Sequence, residues 1–355
     1  MPESPGPDPL APTVPRRARQ LGLGIGDLPT GTHNAITDVP GIRVGHTTLI
    51  HPPRVHSGVT AIVPEGVGPG SPLPAGVFAG NGYGKFLGTT QIAELGALET
   101  PVLLTSTLSA FRVADALVGW ILERPEGADA RSVNAVVGEC NDGLLSDIRS
   151  RPVREEHVRA ALESASAGPV AEGSVGAGTG TTALGFKAGI GTSSRRVPVA
   201  GQEATLGVLV QANFGGTLRV LGRTVTPADV GVPADESGPG PETGSCMIVT
   251  ATDAPLDARQ LTRLARRSVY ALARVGAGYS NGSGDYGLAL GTRPLGTPAG
   301  PAVVPDAGLD PLFGAVLDAV EEAVLNALLT AARVTGPGGH TRYPLPAAQL
   351  LALLG

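Results

Sequence analysis

Residues 244 to 275 read GSCMIVTATDAPLDARQLTRLARRSVYALARV. The β-branched and apolar run from Met247 to Ala251 reads as a buried strand. Asp253-Ala254-Pro255 then ends that strand and opens a helix, because Asp can cap free N–H groups and Pro near the first turn forfeits no intrahelical bond. The helix is expected over Leu256 to Val275. Leu261, Leu264, Tyr270 and Leu272 lean to one side of it, while Arg259, Arg263, Arg266, Arg267 and Arg274 cover much of the rest as a solvated face. Working outward, helical periodicity marks Leu108 to Glu123, Val153 to Ala165, Asp310 to Val334 and a short segment from Ala347 to Leu354. Strand-like runs lie near Val59 to Val63, Val133 to Val137 and Thr205 to Ala212. Strands and helices alternate, so the expected class is α/β.

Composition supports a packed chain. Glycine and proline together make 84 of 355 residues (52 and 32), enough to suggest low complexity, yet 42% of residues are hydrophobic and only 16% charged. Such a chain can bury a core and is no disordered polyampholyte. A net charge of -5 and 12 aromatic residues offer neither a basic field nor a stacking surface, so nucleic acid is not an expected partner. The most hydrophobic long segment, Leu312 to Ala332, carries Asp318, Glu321, Glu322 and Asn326, and no membrane span is expected. Two cysteines, Cys140 and Cys246, build no disulfide framework and suit a reducing, cytoplasmic setting. The first 21 residues, rich in proline and lacking an apolar signal core, are expected to be a disordered leader to a single catalytic domain over 22–355. Residues 224–244 (TVTPADVGVPADESGPGPETG) read as a long surface loop.

Several tempting motifs carry no chemistry. The clusters Gly80 to Lys85, Gly173 to Gly180 and Gly282-Ser283-Gly284 lack the spacing of a phosphate loop or dinucleotide fingerprint, and read as close backbone approaches that can line a pocket. His46, His51 and His56, five apart, share no helical face and alternate on a strand, so no metal site is expected. Asn281 stands where the first Gly of a G-x-S-x-G elbow would precede Ser283, and a Ser-His-Asp triad has no support.

The junction Gly244-Ser245 admits an unusual chemistry. Attack of Ser245 Oγ on the Gly244 carbonyl, an N-to-O acyl shift, gives an ester that water cleaves, leaving a new chain that begins at Ser245. Glycine helps because no side chain resists distortion of the scissile peptide. The freed α-amine, with an ordinary pKa of about 7.7–8.0, can take the proton of its own hydroxyl without a histidine. Residue types alone favour an ordinary Gly-Ser turn.

The blocks NAITDVPGIRVGHTT (34–48), AGNGYGKFLGTTQIAELGALETPVLLTSTLS (79–109), VVGECNDG (136–143), GSVGAGTGTTALGFKAGIGTSSR (173–195), VLVQANFG (208–215), GSCMIVTATDAPLDARQLTRLARR (244–267) and YSNGSGDYGLALGT (279–292) come in one order. In them the chain resembles the P1 (DmpA/BapA) family of self-processing N-terminal-nucleophile aminopeptidases, which includes L-aminopeptidase D-esterases and β-peptidyl aminopeptidases. The resemblance implies an αββα four-layer sandwich like the Ntn-hydrolase fold, cleaved between Gly244 and Ser245 into chains 1–244 and 245–355. It implies that Ser245 is the nucleophile, Asn213 the oxyanion donor, Ser283 and Asp285 the groups that orient the new α-amine, and Glu139 the acid that receives the substrate's ammonium. Asp285 stands where some members carry Glu. A family tyrosine is missing beside Glu139, where Asn141 and Leu144 occupy the matching slots. Cys246 beside Ser245 is expected in the core, on the opposite strand face. The implied activity is release of N-terminal residues from short peptides, amides or esters through an acyl-enzyme, with no metal or organic cofactor, in a homotetramer of processed units. Two alternatives remain at this stage: an acyltransferase of the ornithine acetyltransferase type, which uses Thr as nucleophile, and an unprocessed, non-catalytic relative.

Overall fold

The computed structural model describes residues 14–234, 244–293 and 303–355. Its two large sheets are built from β1 (Ile42–His51), β2 (Val55–Pro64), β3 (Leu73–Gly82), β4 (Phe86–Leu87), β5 (Ala97–Leu98), β6 (Val102–Ser106), β7 (Val136–Cys140), β8 (Ile190–Val199), β9 (Gln202–Asn213), β10 (Ser245–Thr252) and β11 (Gly284–Gly291). The helices are α1 (Thr89–Leu95), α2 (Ala110–Leu122), α3 (Glu155–Glu163), α4 (Ala258–Ala271), α5 (Asp310–Leu329) and α6 (Ala347–Leu354). One sheet has the order β1-β2-β6-β7-β4 and the other β8-β9-β10-β11-β3-β5. Pairing is antiparallel except between β6 and β7 and between β10 and β11, which run parallel.

Strand alternation sorts the side chains into layers. Met247, Val249 and Ala251 of β10 face the first sheet and pack there with Leu209, Leu288, Val102 and Val136. Cys246 and Ile248 face the other way, onto Leu261 and Leu264 of α4 and Val316 and Val320 of α5. On the far side of the first sheet, Val59, Ala61 and Leu103 meet Val113 and Leu117 of α2 and Val158 and Leu162 of α3. The result is helix, sheet, sheet, helix, the four-layer αββα sandwich that the resemblance implied.

Several boundaries differ from expectation. The α4 cap is Asp257, whose Oδ1 accepts the Gln260 N–H at 2.7 Å, with Gln260 reaching back to the Asp257 N–H. Asp253 is engaged elsewhere: its Oδ1 accepts the Thr205 N–H of β9 at 2.7 Å. The strand expected at Val133 to Val137 is β7, three residues further on at both ends. Of the expected loop 224–244, Arg223–Val225 pairs with Leu218–Val220 and Ala228–Val230 forms a 3-10 turn, while 235–243 lies outside the described residues.

The disordered leader is also corrected in part. Residues 1–13 lie outside the described residues, but Ala18–Leu21 forms a 3-10 turn with Ala18 and Leu21 buried. Arg17 pairs with Glu172 at 2.6 Å and Arg19 with Glu322 at 3.0 Å, so charge partners inside the fold hold this segment down.

Candidate active site

The strand register brings the expected residues together. Asn213, the last residue of β9, stands opposite Ser245, the first of β10, and Ser245 stands opposite Gly284, the first of β11. Ser245 shares strand parity with Met247 and so faces the first sheet, on the side of Cys140. Glu139 has the parity of Val137, on that sheet's other face, and its Oε1 comes to the junction past Gly84, where a Cβ would stand 3.2 Å both from it and from Gly284 Cα. All five side chains, Ser245, Asn213, Ser283, Asp285 and Glu139, are buried.

Ser245 Oγ donates to the carbonyl oxygen of Gly244 at 2.7 Å, so the hydroxyl lies against the peptide it is expected to attack. The same oxygen accepts the Gly284 N–H at 3.1 Å. A backbone donor aimed at a carbonyl that must become an oxyanion lowers the barrier to attack on it. Glycine at 244 is dictated by space as well: a Cβ there would stand 3.1 Å from Phe214 Cα and 3.2 Å from Ser283 Oγ.

Ser283 Oγ in turn donates to Asp285 Oδ1 at 2.9 Å. Burial pushes the Asp285 carboxyl above its ordinary range, with the Ser283 hydroxyl and the Cys246 backbone pulling it partly back. Among the described residues its buried Oδ2 has no hydrogen-bond partner. This hydroxyl and carboxyl form a hydrogen-bonded pair beside the Gly244-Ser245 bond.

Asn213 is held by both ends of its amide. Oδ1 accepts the Thr182 N–H at 3.0 Å, and Nδ2 donates one hydrogen to the Asn141 carbonyl at 3.1 Å. The locked orientation leaves the second Nδ2 hydrogen for an oxyanion. Glu139 Oε1 accepts the Lys85 N–H at 2.8 Å and meets Lys85 Nζ at 3.4 Å, while Oε2 accepts the Thr107 hydroxyl. The carboxylate therefore already has a cation beside it, which the sequence reading did not foresee.

At the slots of the missing tyrosine, Asn141 Oδ1 accepts the Gly143 N–H at 2.9 Å, which ties that amide into its own turn. Leu144 is half-buried. Cys246 lies in the core on the opposite face, as expected, and burial pushes its thiol well above the ordinary value, which makes it a poor thiolate. Cys140 contacts the carbonyl oxygens of Ser245 and Gln211 at 3.4 and 3.5 Å, bridging the sheets beneath the site. His46 is half-buried against Thr60, with desolvation bringing its pKa down to about 4, and His56 bonds the Leu145 carbonyl. Among the described residues no group of three His, Cys, Asp or Glu is placed to hold a metal.

Lys85, Thr107, Thr182 and the Gly284 N–H were missed. Their signal is register, not motif: Phe86 of β4 pairs with Gly138, and Thr105 of β6 with Glu139, which delivers Lys85 and Thr107 to the same carboxylate.

With this geometry in place, the chain can be set beside known proteins. The sequence pattern of peptidase family S58 matches residues 34–342. The β-peptidyl aminopeptidase BapA of Sphingosinicella microcystinivorans is 39% identical over 369 aligned positions, covering 95% of this chain and 91% of that protein. The solved structure of a Burkholderia sp. beta-aminopeptidase is 41% identical, with a TM-score of 0.83 over 96% of this chain and 98% of the other. The L-aminopeptidase D-Ala-esterase/amidase of Ochrobactrum anthropi, described as a serine aminopeptidase with a variant Ntn-hydrolase fold, superposes with a TM-score of 0.85 at 37% identity, over 95% of this chain and 98% of that one.

Proposed function

We propose, given that this chain belongs to peptidase family S58, that Ser245 is its nucleophile and that the bond Gly244-Ser245 is its self-cleavage site. The chain is a self-processing serine aminopeptidase of that family, acting on peptides, amides or esters, which sets aside the acyltransferase and non-catalytic readings. The observation that carries the site assignment is the Ser245 hydroxyl lying on a Gly244 carbonyl that the Gly284 N–H already polarises.

In the first turnover Oγ attacks the Gly244 carbonyl carbon, and its proton passes to the departing Ser245 nitrogen. Water then hydrolyses the ester to give chains 1–244 and 245–355 of one catalytic domain. In later turnovers the Ser245 α-amine takes the Oγ proton as Oγ attacks the substrate carbonyl. Asn213 Nδ2 donates to the oxyanion, and Ser283 with Asp285 orients the amine. The amine's proton goes to the leaving group, and water releases the acyl group from Ser245. Glu139 binds the substrate's free ammonium. We also place the processed protein in the cytoplasm, where its two free, buried thiols persist, and in a homotetramer, from its family resemblance.

Intact mass and N-terminal sequencing test the assignment. The purified protein should separate into two chains, the smaller beginning Ser-Cys-Met-Ile, and Ser245→Ala should stay in one piece and be inactive. A wild-type chain that stays whole through long incubation, or a Ser245→Ala variant that still splits there, would remove Ser245 from this role.

A further inference from the structure

We propose that Lys85 is a resident counter-ion for Glu139 which the substrate's ammonium displaces, and that its competition sets how strongly the enzyme prefers free amines. This rests on the reading of Glu139 as the ammonium receptor. Glu139 has three donors, and they are not equivalent. The Lys85 N–H and the Thr107 hydroxyl come from backbone and a short side chain fixed by the β4 and β6 pairings with β7. Lys85 Nζ stands at 3.4 Å, outside the 2.7–2.9 Å of a close charge-assisted bond, at the end of a four-carbon stem. Side-chain exposure is 40% for Lys85 and 1% for Glu139, so of these two only Lys85 can turn out into water at small cost.

Removing Nζ leaves the carboxylate oriented by its other two donors, because the Lys85 N–H does not depend on where its side chain goes. An arriving ammonium then exchanges one cation for another, and Glu139 is at no stage buried without one, a state that is otherwise strongly unfavourable. The exchange has a consequence for selectivity. An N-acetylated substrate brings no cation, but in the wild type Lys85 stays paired with Glu139 and softens the penalty. Without Lys85, the free amine meets no competitor and the acetylated substrate leaves Glu139 unpaired. Lys85 thus lowers discrimination, and a merely structural lysine would change both substrates by one factor.

The test uses full-length, processed enzyme, with processing verified by mass, and reads kcat/KM for alanyl p-nitroanilide and its N-acetyl derivative. Lys85→Met should raise the free-to-acetylated ratio about three- to fivefold, the scale of a half-exposed ion pair, with a lower KM for the free amine. Lys85→Arg, which keeps the charge, should hold the ratio near the wild type. Glu139→Gln in parallel separates the two levels of the argument. A ratio that collapses in Glu139→Gln but is unchanged or lowered in Lys85→Met overturns the counter-ion role alone. A ratio that Glu139→Gln leaves intact overturns the receptor reading and, with it, this one.

Discussion

Two of the clusters of polar groups that the fold buries are built on different plans. Where the N-terminal segment crosses β8 and α5, Glu322 receives Arg19 Nε at 3.0 Å, Arg195 Nη2 at 2.8 Å and Asn34 Nδ2 at 2.6 Å. Glu322 and Arg195 are both wholly buried. Asn326, one turn along α5, accepts the Ala18 N–H and donates to the Thr192 carbonyl. Partners there come from distant segments that the fold must bring together, so the cluster acts as a clasp. At the ends of β7, β9 and β11, around the Gly244-Ser245 junction, Glu139 has an exchangeable cation, Asn213 a spare N–H and Asp285 an oxygen with no partner among the described residues. At the clasp the Glu322 carboxylate is filled by partners from the chain, although Arg195 Nε is left without one among the described residues, whereas at the site the carboxylates and the amide keep capacity to spare.

The largest effect expected from this contrast is on stability at the clasp. Glu322→Gln strands Arg195 and Arg19 without their carboxylate and should cost about 3–5 kcal/mol, read as a lowered urea midpoint, with kcat of the folded fraction unchanged. Glu139→Gln should barely move the midpoint. Equal midpoints for Glu322→Gln and wild type would break the distinction at its strongest point.

Next in size is the asparagine pair. Asn213→Ala should lower kcat about 100- to 1,000-fold in protein already processed, roughly 3–4 kcal/mol, since it removes an oxyanion donor. It should slow processing too, and the two defects are separated by assaying only the processed fraction. Asn326→Ala should do the reverse, costing about 1–3 kcal/mol of stability for its buried unsatisfied partners while sparing kcat. If both variants lose stability alone, Asn213 belongs with the clasp and not with the site.

How much of this was legible in the sequence depends on what each strand had to pack against. β10 announced itself, since Met247 to Ala251 is apolar on both faces, as a strand between two layers must be. Its parallel neighbour β11 (GDYGLALG) did not. Gly287 is there because a Cβ would stand 2.3 Å from the Ala265 carbonyl of α4, and Gly284 because one would meet Gly84 at 2.6 Å. Close packing replaced strand-forming residues with glycine and made a central strand look like a loop. β3 was hidden for the same reason, with Gly76 pressed on the Thr262 backbone. Ser245, Asn213, Ser283, Asp285 and Glu139 were found through resemblance, because no spacing rule links positions from β7, β9, β10 and β11. Lys85 and the Gly284 N–H were not found, because a charge–charge neighbour and a backbone donor are properties of register.

The smallest expected effect concerns two buried cations. Arg195 keeps its charge beside Glu322, whereas Lys187 is fully buried and its Nζ has only carbonyls for partners among the described residues, donating to Gly178 at 3.1 Å and Ala188 at 2.5 Å. Two acceptors match the two hydrogens of a neutral amine, and burial brings the Lys187 pKa down from 10.5 to about 7. Thr182, which orients Asn213, is its strand partner, so the hairpin that sets the oxyanion donor contains this titrating group. The sign follows from proton counting. Between pH 7 and 10.5 the unfolded chain holds a proton that the folded chain has shed, so stability rises with pH through that window and falls as pH drops toward 7. From pH 7 to 9 the gain should be about 2 kcal/mol in the wild type relative to Lys187→Met, which keeps the stem and cannot titrate. Urea midpoints for the two proteins at pH 7, 8 and 9 check this. A growing wild-type advantage supports a neutral lysine under the site. Parallel curves would mean that Lys187 stays charged when folded, and would place it with Arg195 among the permanent cations of the fold.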